Sequence, residues 1–193
     1  MKKIIFALAI ATLGLSACDQ KGTSSVSTSN SSAASAVTEA AADANAVQNL
    51  SSRDGKISLS IPGGQFADAS SKAEYQPAGA DAKDLILLQH DDAADITLYA
   101  VDLGKPKSTP DAYFNNLKAA IEADKTLADV KVSAASNGRL NYRFSQKEND
   151  NTLTESCTAI ADANHIYNVC TNSYTAAPER LDATLSNIKL AAK

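Results

Sequence analysis

Apolar and polar positions first fall into a regular order at Ile57, where Ile57, Leu59 and Ile61 alternate with Lys56, Ser58 and Ser60. A period of two predicts a half-buried strand. Pro62-Gly63-Gly64 ends it. Phe66 and Tyr75 are isolated apolar anchors in the polar stretch that follows. Leu85 to Leu88 is an unbroken apolar run of the kind a central strand shows. Asp91-Asp92-Ala93-Ala94-Asp95 predicts a turn, and Ile96 to Leu103 a third strand that stops at Gly104 and Pro106.

The period then changes to that of a helix. Phe114, Leu117 and Ile121 fall on one face, with Tyr113 beside them. Thr109 suits the cap, Pro110 the first helical position and Asp111 the positive end of the dipole. Strand character returns at Val130 to Ala134. Asn137-Gly138 is the strongest hairpin signal in the chain. Beyond it, Leu140, Tyr142 and Phe144 alternate with Asn141, Arg143 and Ser145. Two further strands are predicted over 152–160 and 165–172. A last helix is predicted from Pro178, with Leu181, Leu185 and Ile188 on one face and Lys189 and Lys193 at its negative end. Three strands, a helix, four strands and a helix make an α+β domain: a mostly antiparallel sheet of about seven strands packed with two main helices.

The first 52 residues read differently. Lys2 and Lys3 precede twelve uncharged, largely apolar residues, Ile4 to Leu15. That is an export signal, too short for a membrane span of about 20 residues. Leu15-Ser16-Ala17-Cys18 matches the lipobox of bacterial lipoproteins, in which the cysteine thiol is joined to diacylglycerol after cleavage before it. Two or more acyl chains would hold the protein stably, at about 0.8 kcal/mol per buried methylene. Asp19 resembles the enterobacterial signal for retention in the inner membrane. Ser, Ala and Thr then dominate up to Leu50, with too few large apolar residues to fold. The expected organisation is a signal over 1–17, a lipid anchor and flexible tether over 18–52, and a globular domain over 53–193. The tether's reach is on the order of 30 Å.

Charge narrows the partners. The net charge is -4, and loss of residues 1–17, with two lysines and no acid, makes it -6. Phosphate backbones and anionic headgroups repel such a chain. Nucleic acid is therefore not an expected partner, and membrane attachment is expected to run through the lipid anchor. If Cys18 carries lipid, Cys157 and Cys170 remain as a pair, which suits an oxidising compartment. A hairpin turning at Ala163-Asn164 sets 157 opposite 170, within disulfide range. The competing readings are two buried free thiols or a register shifted by one or two residues. A catalytic redox pair is disfavoured, since there is no Cys-x-x-Cys at a helix start.

Candidate chemistry is sparse. His90-Asp91-Asp92 with Asp95 gathers ligand-type side chains but matches no EF-hand spacing, and it reads as a solvated turn. His165 reads as a turn residue. Ser186 and Lys189 have the Ser-x-x-Lys spacing, but mid-helix and without its companion motifs. No phosphate loop and no Gly-x-Ser-x-Gly is present. Neither catalytic residues, metal ligands nor a cofactor are expected.

The signal ending in Ala17-Cys18-Asp19, the short tether, and Asp54-Gly55-Lys56-Ile57-Ser58-Leu59-Ser60-Ile61-Pro62 together resemble the start of the DcrB family of Gram-negative envelope proteins. The order of elements that follows is similar too. The resemblance implies a PsbP-like α/β/α sandwich in a periplasmic, membrane-tethered and non-enzymatic protein, with no catalytic residues to carry over. The expected function is that of an envelope accessory or protein-interaction module on the periplasmic face of the inner membrane, with the outer membrane as the other location. Envelope proteins are the expected partners. The alternative is a small-molecule or lipid-binding lipoprotein, with an apolar pocket between sheet and helices.

Overall fold

The computed structural model describes residues 46–162 and 164–191. Cys18, Asp19, Lys193 and all but the last few residues of the expected tether lie outside them. In chain order the elements are β1 (Val47–Ser51), β2 (Ile57–Pro62), β3 (Ala67–Asp68), β4 (Leu85–Asp91), β5 (Ile96–Asp102), α1 (Pro110–Ala123), β6 (Leu127–Val132), β7 (Arg139–Glu148), β8 (Asn151–Ala161), β9 (Ile166–Ser173), α2 (Pro178–Thr184) and β10 (Ile188–Leu190). Seven strands form one antiparallel sheet in the order β3-β4-β5-β9-β8-β7-β6, and β1-β2-β10 form a small second sheet. The class is α+β.

Both faces of the large sheet are covered, and the side-chain alternation shows how. In β5, Ile96, Leu98 and Ala100 join one core with the small sheet and Leu181 of α2. Tyr99 and Val101, between them, join a second core with Phe114 and Ile121 of α1. A strand buried on both faces loses the polar half of the alternation, hence the nearly continuous apolar sequence. The run Leu85 to Leu88 carries a further device. Its register shifts between Leu85 and Leu87, and this bulge sends both Ile86 and Leu87 into the first core while Leu88 enters the second.

Local chemistry sets the ends of elements. Thr109 Oγ1 accepts from Ala112 N at 3.3 Å, and Pro110 opens α1. Asn137 and Gly138 take φ of 51° and 69°, and Ser136 and Arg139 exchange backbone hydrogen bonds across them. Two consecutive left-handed residues match the twist of the flanking strands. Asp54 Oδ1 accepts from Lys56 N and from Ser52 Oγ, which makes Asp54-Gly55-Lys56 the turn between β1 and β2.

Two boundaries differ from the sequence reading. Val47 to Ser51, assigned there to the tether, pair with β2 in full register from Val47–Pro62 to Ser51–Ser58. Leu50 packs on the first core, while Val47 is half exposed. A single partly buried leucine among Ser and Ala was too weak a signal of a strand. The last helix also ends early. α2 stops at Thr184, and Ile188 to Leu190 turn into β10, which pairs with β2. Ile188 is buried in both readings, because helical spacing from Leu181 and a strand pointing at the same core place it alike.

The described domain therefore begins before residue 53. A chain starting at Ala46 is expected to keep the full stability of the domain. One starting at Arg53 loses β1 and the buried Ser52 hydroxyl that accepts from Ile57 N, at a cost of about 2 kcal/mol or more. Urea denaturation of the two chains checks this, and equal midpoints would show β1 to be an ornament.

Candidate functional site

α2 is short, and it packs mainly on β8 and β9. The same face of β7 and β6 is therefore left open beside it. Polar side chains occupy that face because the alternation of β7 sends Leu140 and Tyr142 to the α1 side and the residues between them to the α2 side. The result is a groove of about 540 Å³, open to solvent, in which Lys131, Arg139, Asn141, Arg143 and Thr158 meet Asp182 and Leu185.

The groove is internally organised. Arg143 is buried, and its Nη1 donates to Asp182 Oδ2 at 2.6 Å while Nη2 lies 3.8 Å from Glu179. Ser156 Oγ donates to Asp182 Oδ1 at 2.5 Å. Asp182 thus clamps α2 onto β7 and β8 through two charge-assisted contacts. Arg139 Nη2 donates to the Ile188 carbonyl at 2.9 Å, which ties the start of β7 to β10. Thr158 Oγ1 donates to Asn141 Oδ1 at 2.9 Å. Lys131 is exposed on the edge strand β6. Its neighbour Asp129 takes a φ of 51° where the β6–β7 register slips. Such a bulge beside a lysine discourages edge-to-edge pairing with another sheet.

On the opposite face lies a buried polar cluster. Cys157 and Cys170 pair directly across β8 and β9 and are joined by a disulfide with a Cα–Cα distance of 4.1 Å. The register is the one expected from a turn at 163–164, and Asp162 N donates to His165 O across it. Closure of a loop of this length stabilises by roughly 3 kcal/mol. Glu155 reaches toward the disulfide, with Oε1 3.5 Å from Cys157 Sγ. Burial pushes its carboxyl pKa up, against hydrogen bonds from Tyr99 and Asn172 that pull it down, and the nearby Glu148 charge adds to the rise. Burial likewise raises Tyr99 and Tyr142, with Glu155 adding to both. Tyr142 donates to Asn168 Oδ1 at 2.9 Å. Nearer the surface, the hydrogen bond to Glu148 pushes Tyr174 up to about 12.

The other candidates read from the sequence do not gather into one site, although His90 Nε2 lies 3.4 Å from Asp92 Oδ1. His90 and Asp91 are buried, a correction to the solvated turn expected there. Asp91 accepts from Gln65 N, Ala93 N and Ala94 N, so its burial is the price of the turn. His90 stacks on Tyr75 at 3.9 Å and meets Thr97 Oγ1 at 3.1 Å. Asp95 instead accepts from Thr175 and Ser173. His165 Nδ1 lies 2.9 Å from both carboxylate oxygens of Asp102. Ser186 donates to Ala183 O, and Lys189 sits on β10 rather than in a helix. The groove was missed in the sequence, although the polar half of the 139–145 alternation carries it. That half marks a solvated sheet face equally well until α2 is seen to stop short.

No family model matches the chain, and no curated protein matches it. A crystal structure of the Ran-binding protein Mog1p from Saccharomyces cerevisiae is similar with a TM-score of 0.48 at 11% identity, over 75% of this chain and 95% of that one. A likeness at that level says nothing of function. Among the described residues, no helix is long and apolar enough to cross a membrane.

The raised Glu155 pKa has a definite consequence for stability. The folded chain holds this proton to higher pH than the unfolded chain, whose value lies near 4.5. Stability is therefore lost as pH rises from about that value through the raised one. Glu155→Gln removes the effect. The variant is expected to exceed the native chain in thermal midpoint at neutral pH, with the gap closing as pH falls to 4.5 and below. A gap independent of pH would contradict the assignment.

Proposed function

We propose that this chain is a membrane-tethered periplasmic lipoprotein of DcrB-like type, which acts by binding an envelope protein rather than by catalysis. Cys18 is its lipid anchor, Asp19 its sorting residue, and the inner membrane its location. The observation that supports a binding role is the preformed groove beside α2. It is open, its floor is a rigid sheet, and its lining mixes cations and hydrogen-bonding groups with Leu185 and Val132. Polar, partly apolar surfaces of this kind suit a peptide segment or loop of a partner better than a lipid chain, which calls for an enclosed apolar cavity.

Its charged groups serve structure. Asp182 is committed to Arg143 and Ser156, and Arg139 to Ile188 O. Lys131 is the cation at the rim that makes no such commitment among the described residues, and it would meet an acidic residue of the partner. Rim charges act mainly on the rate of association.

The test is a photo-activated cross-linking residue placed in the full-length chain, in the cell envelope, at Asn141 or Lys131 and, for comparison, at Lys118 on α1. Cross-linking to one defined protein from the groove positions and not from Lys118 is expected. Lys131→Glu is expected to slow that association several-fold while leaving the unfolding free energy within about 0.5 kcal/mol. Equal cross-linking from both faces, or none from the groove, would remove the groove as the binding surface.

A further inference from the structure

Glu155, Cys157 and Cys170 form, among the described residues, the group of ligand-type side chains whose donor atoms all lie within 4.8 Å of one another. We propose that, once the Cys157–Cys170 disulfide is reduced, the two thiolates and the Glu155 carboxylate bind a borderline divalent cation of the Zn²⁺ class, so that disulfide and cation are alternative occupants of one place under α1.

The geometry supports this in three ways. First, the cysteines are directly opposed on adjacent strands, so their sulfurs stay neighbours when the bond between them is broken. Two Zn–S bonds of about 2.3 Å at a tetrahedral angle need sulfurs about 3.8 Å apart. Rotation of the two side chains reaches that without moving the backbone, since the Cβ atoms of a disulfide-joined pair lie about 3.5–4.5 Å apart. Second, the third donor is already aimed at the spot, with Glu155 Oε1 3.5 Å from Cys157 Sγ. Third, Glu155 is held from behind by Tyr99 and Asn172, as the outer hydrogen bonds of metal-ligating carboxylates hold them. The cysteines are 2% and 0% exposed. Glu155 is only partly buried, so a hydrated cation enters from its side and keeps a water as fourth ligand.

The steps balance. A dithiol reductant gives two electrons to the S–S bond, which breaks. The dithiol becomes its own disulfide, and its two protons pass to Cys157 and Cys170. The cation then displaces those protons as two metal–sulfur bonds and one metal–oxygen bond form. Reoxidation expels the cation, because a disulfide has no thiolate to offer. The chain would therefore hold metal only where the compartment turns reducing, or before its disulfide has formed.

The experiment uses the full chain, reduced with a phosphine that does not compete for metal, and Co²⁺ as the spectroscopic probe. Expected are one Co²⁺ per reduced chain, tetrahedral ligand-field bands and thiolate-to-metal charge-transfer absorption, and none of these in the oxidised chain. Glu155→Gln is expected to weaken binding at least about 10-fold, and the double change Cys157→Ser with Cys170→Ser to abolish it. Circular dichroism runs alongside. If reduction unfolds the chain, Zn²⁺ is expected to restore the fold. A reduced, folded chain without charge-transfer absorption would overturn the proposal, as would a reduced, unfolded chain that Zn²⁺ does not refold. Affinity unchanged in Glu155→Gln would also overturn it, since the carboxylate would then not be a ligand.

Discussion

The register between β8 and β9 is the constraint on which the rest of this structure depends. These strands lie at the middle of the seven-stranded sheet, and a slip of one residue would exchange every side chain between the two faces. With Cys157 opposite Cys170, Ile160 and Val169 go to one core while Ala159 and both sulfurs go to the other. The same choice puts Ser156 under Asp182 and Glu155 beside the disulfide. A covalent bond at the pairing point holds the strands in that register, and β5 and β7 inherit their faces from it.

The two faces are covered by unlike means, and the difference creates the candidate site. α1, with two buried anchors in Phe114 and Ile121, spans fourteen residues. The other face is shared between a seven-residue helix and a three-stranded sheet. These meet over β5, β9 and β8, reach β7 only through Arg143 and Arg139, and leave an open groove over β7 and β6. The open part can stay polar because it faces water, and Asp182 with Arg143 marks the line where cover ends. The groove is thus a by-product of how much chain the α2 side received, and its rigidity comes from the sheet beneath it.

Much of this was legible in the sequence, and what was not has physical causes. The α+β class, the capped helix at Thr109, the Asn137-Gly138 turn and the opposition of 157 and 170 followed from period, capping chemistry and hairpin arithmetic, all of which are local. β1 escaped because Val47 and Leu50 in a run of small polar residues form no period, and the strand exists only through its pairing with β2. The end of α2 escaped because Ile188 satisfies both a helical face and a strand that folds back. Buried Asp91 and partly buried Glu155 break the rule that acids lie outside; Asp91 is held by its own turn and by Gln65 N, and Glu155 by Tyr99 and Asn172. The groove escaped for a similar reason: its polar lining was visible on β7, but the reach of α2 over it is a tertiary fact.

The claim that gives the fold its setting is attachment at Cys18, and it rests on the sequence. Intact-mass analysis of the protein taken from separated inner and outer membranes, with and without reduction before thiol alkylation, tests it most directly. The expected result is a chain that begins at Cys18, carries added acyl mass, sits with the inner membrane and alkylates at two thiols only after reduction. A chain that still begins at Met1, or one without acyl mass, would contradict it.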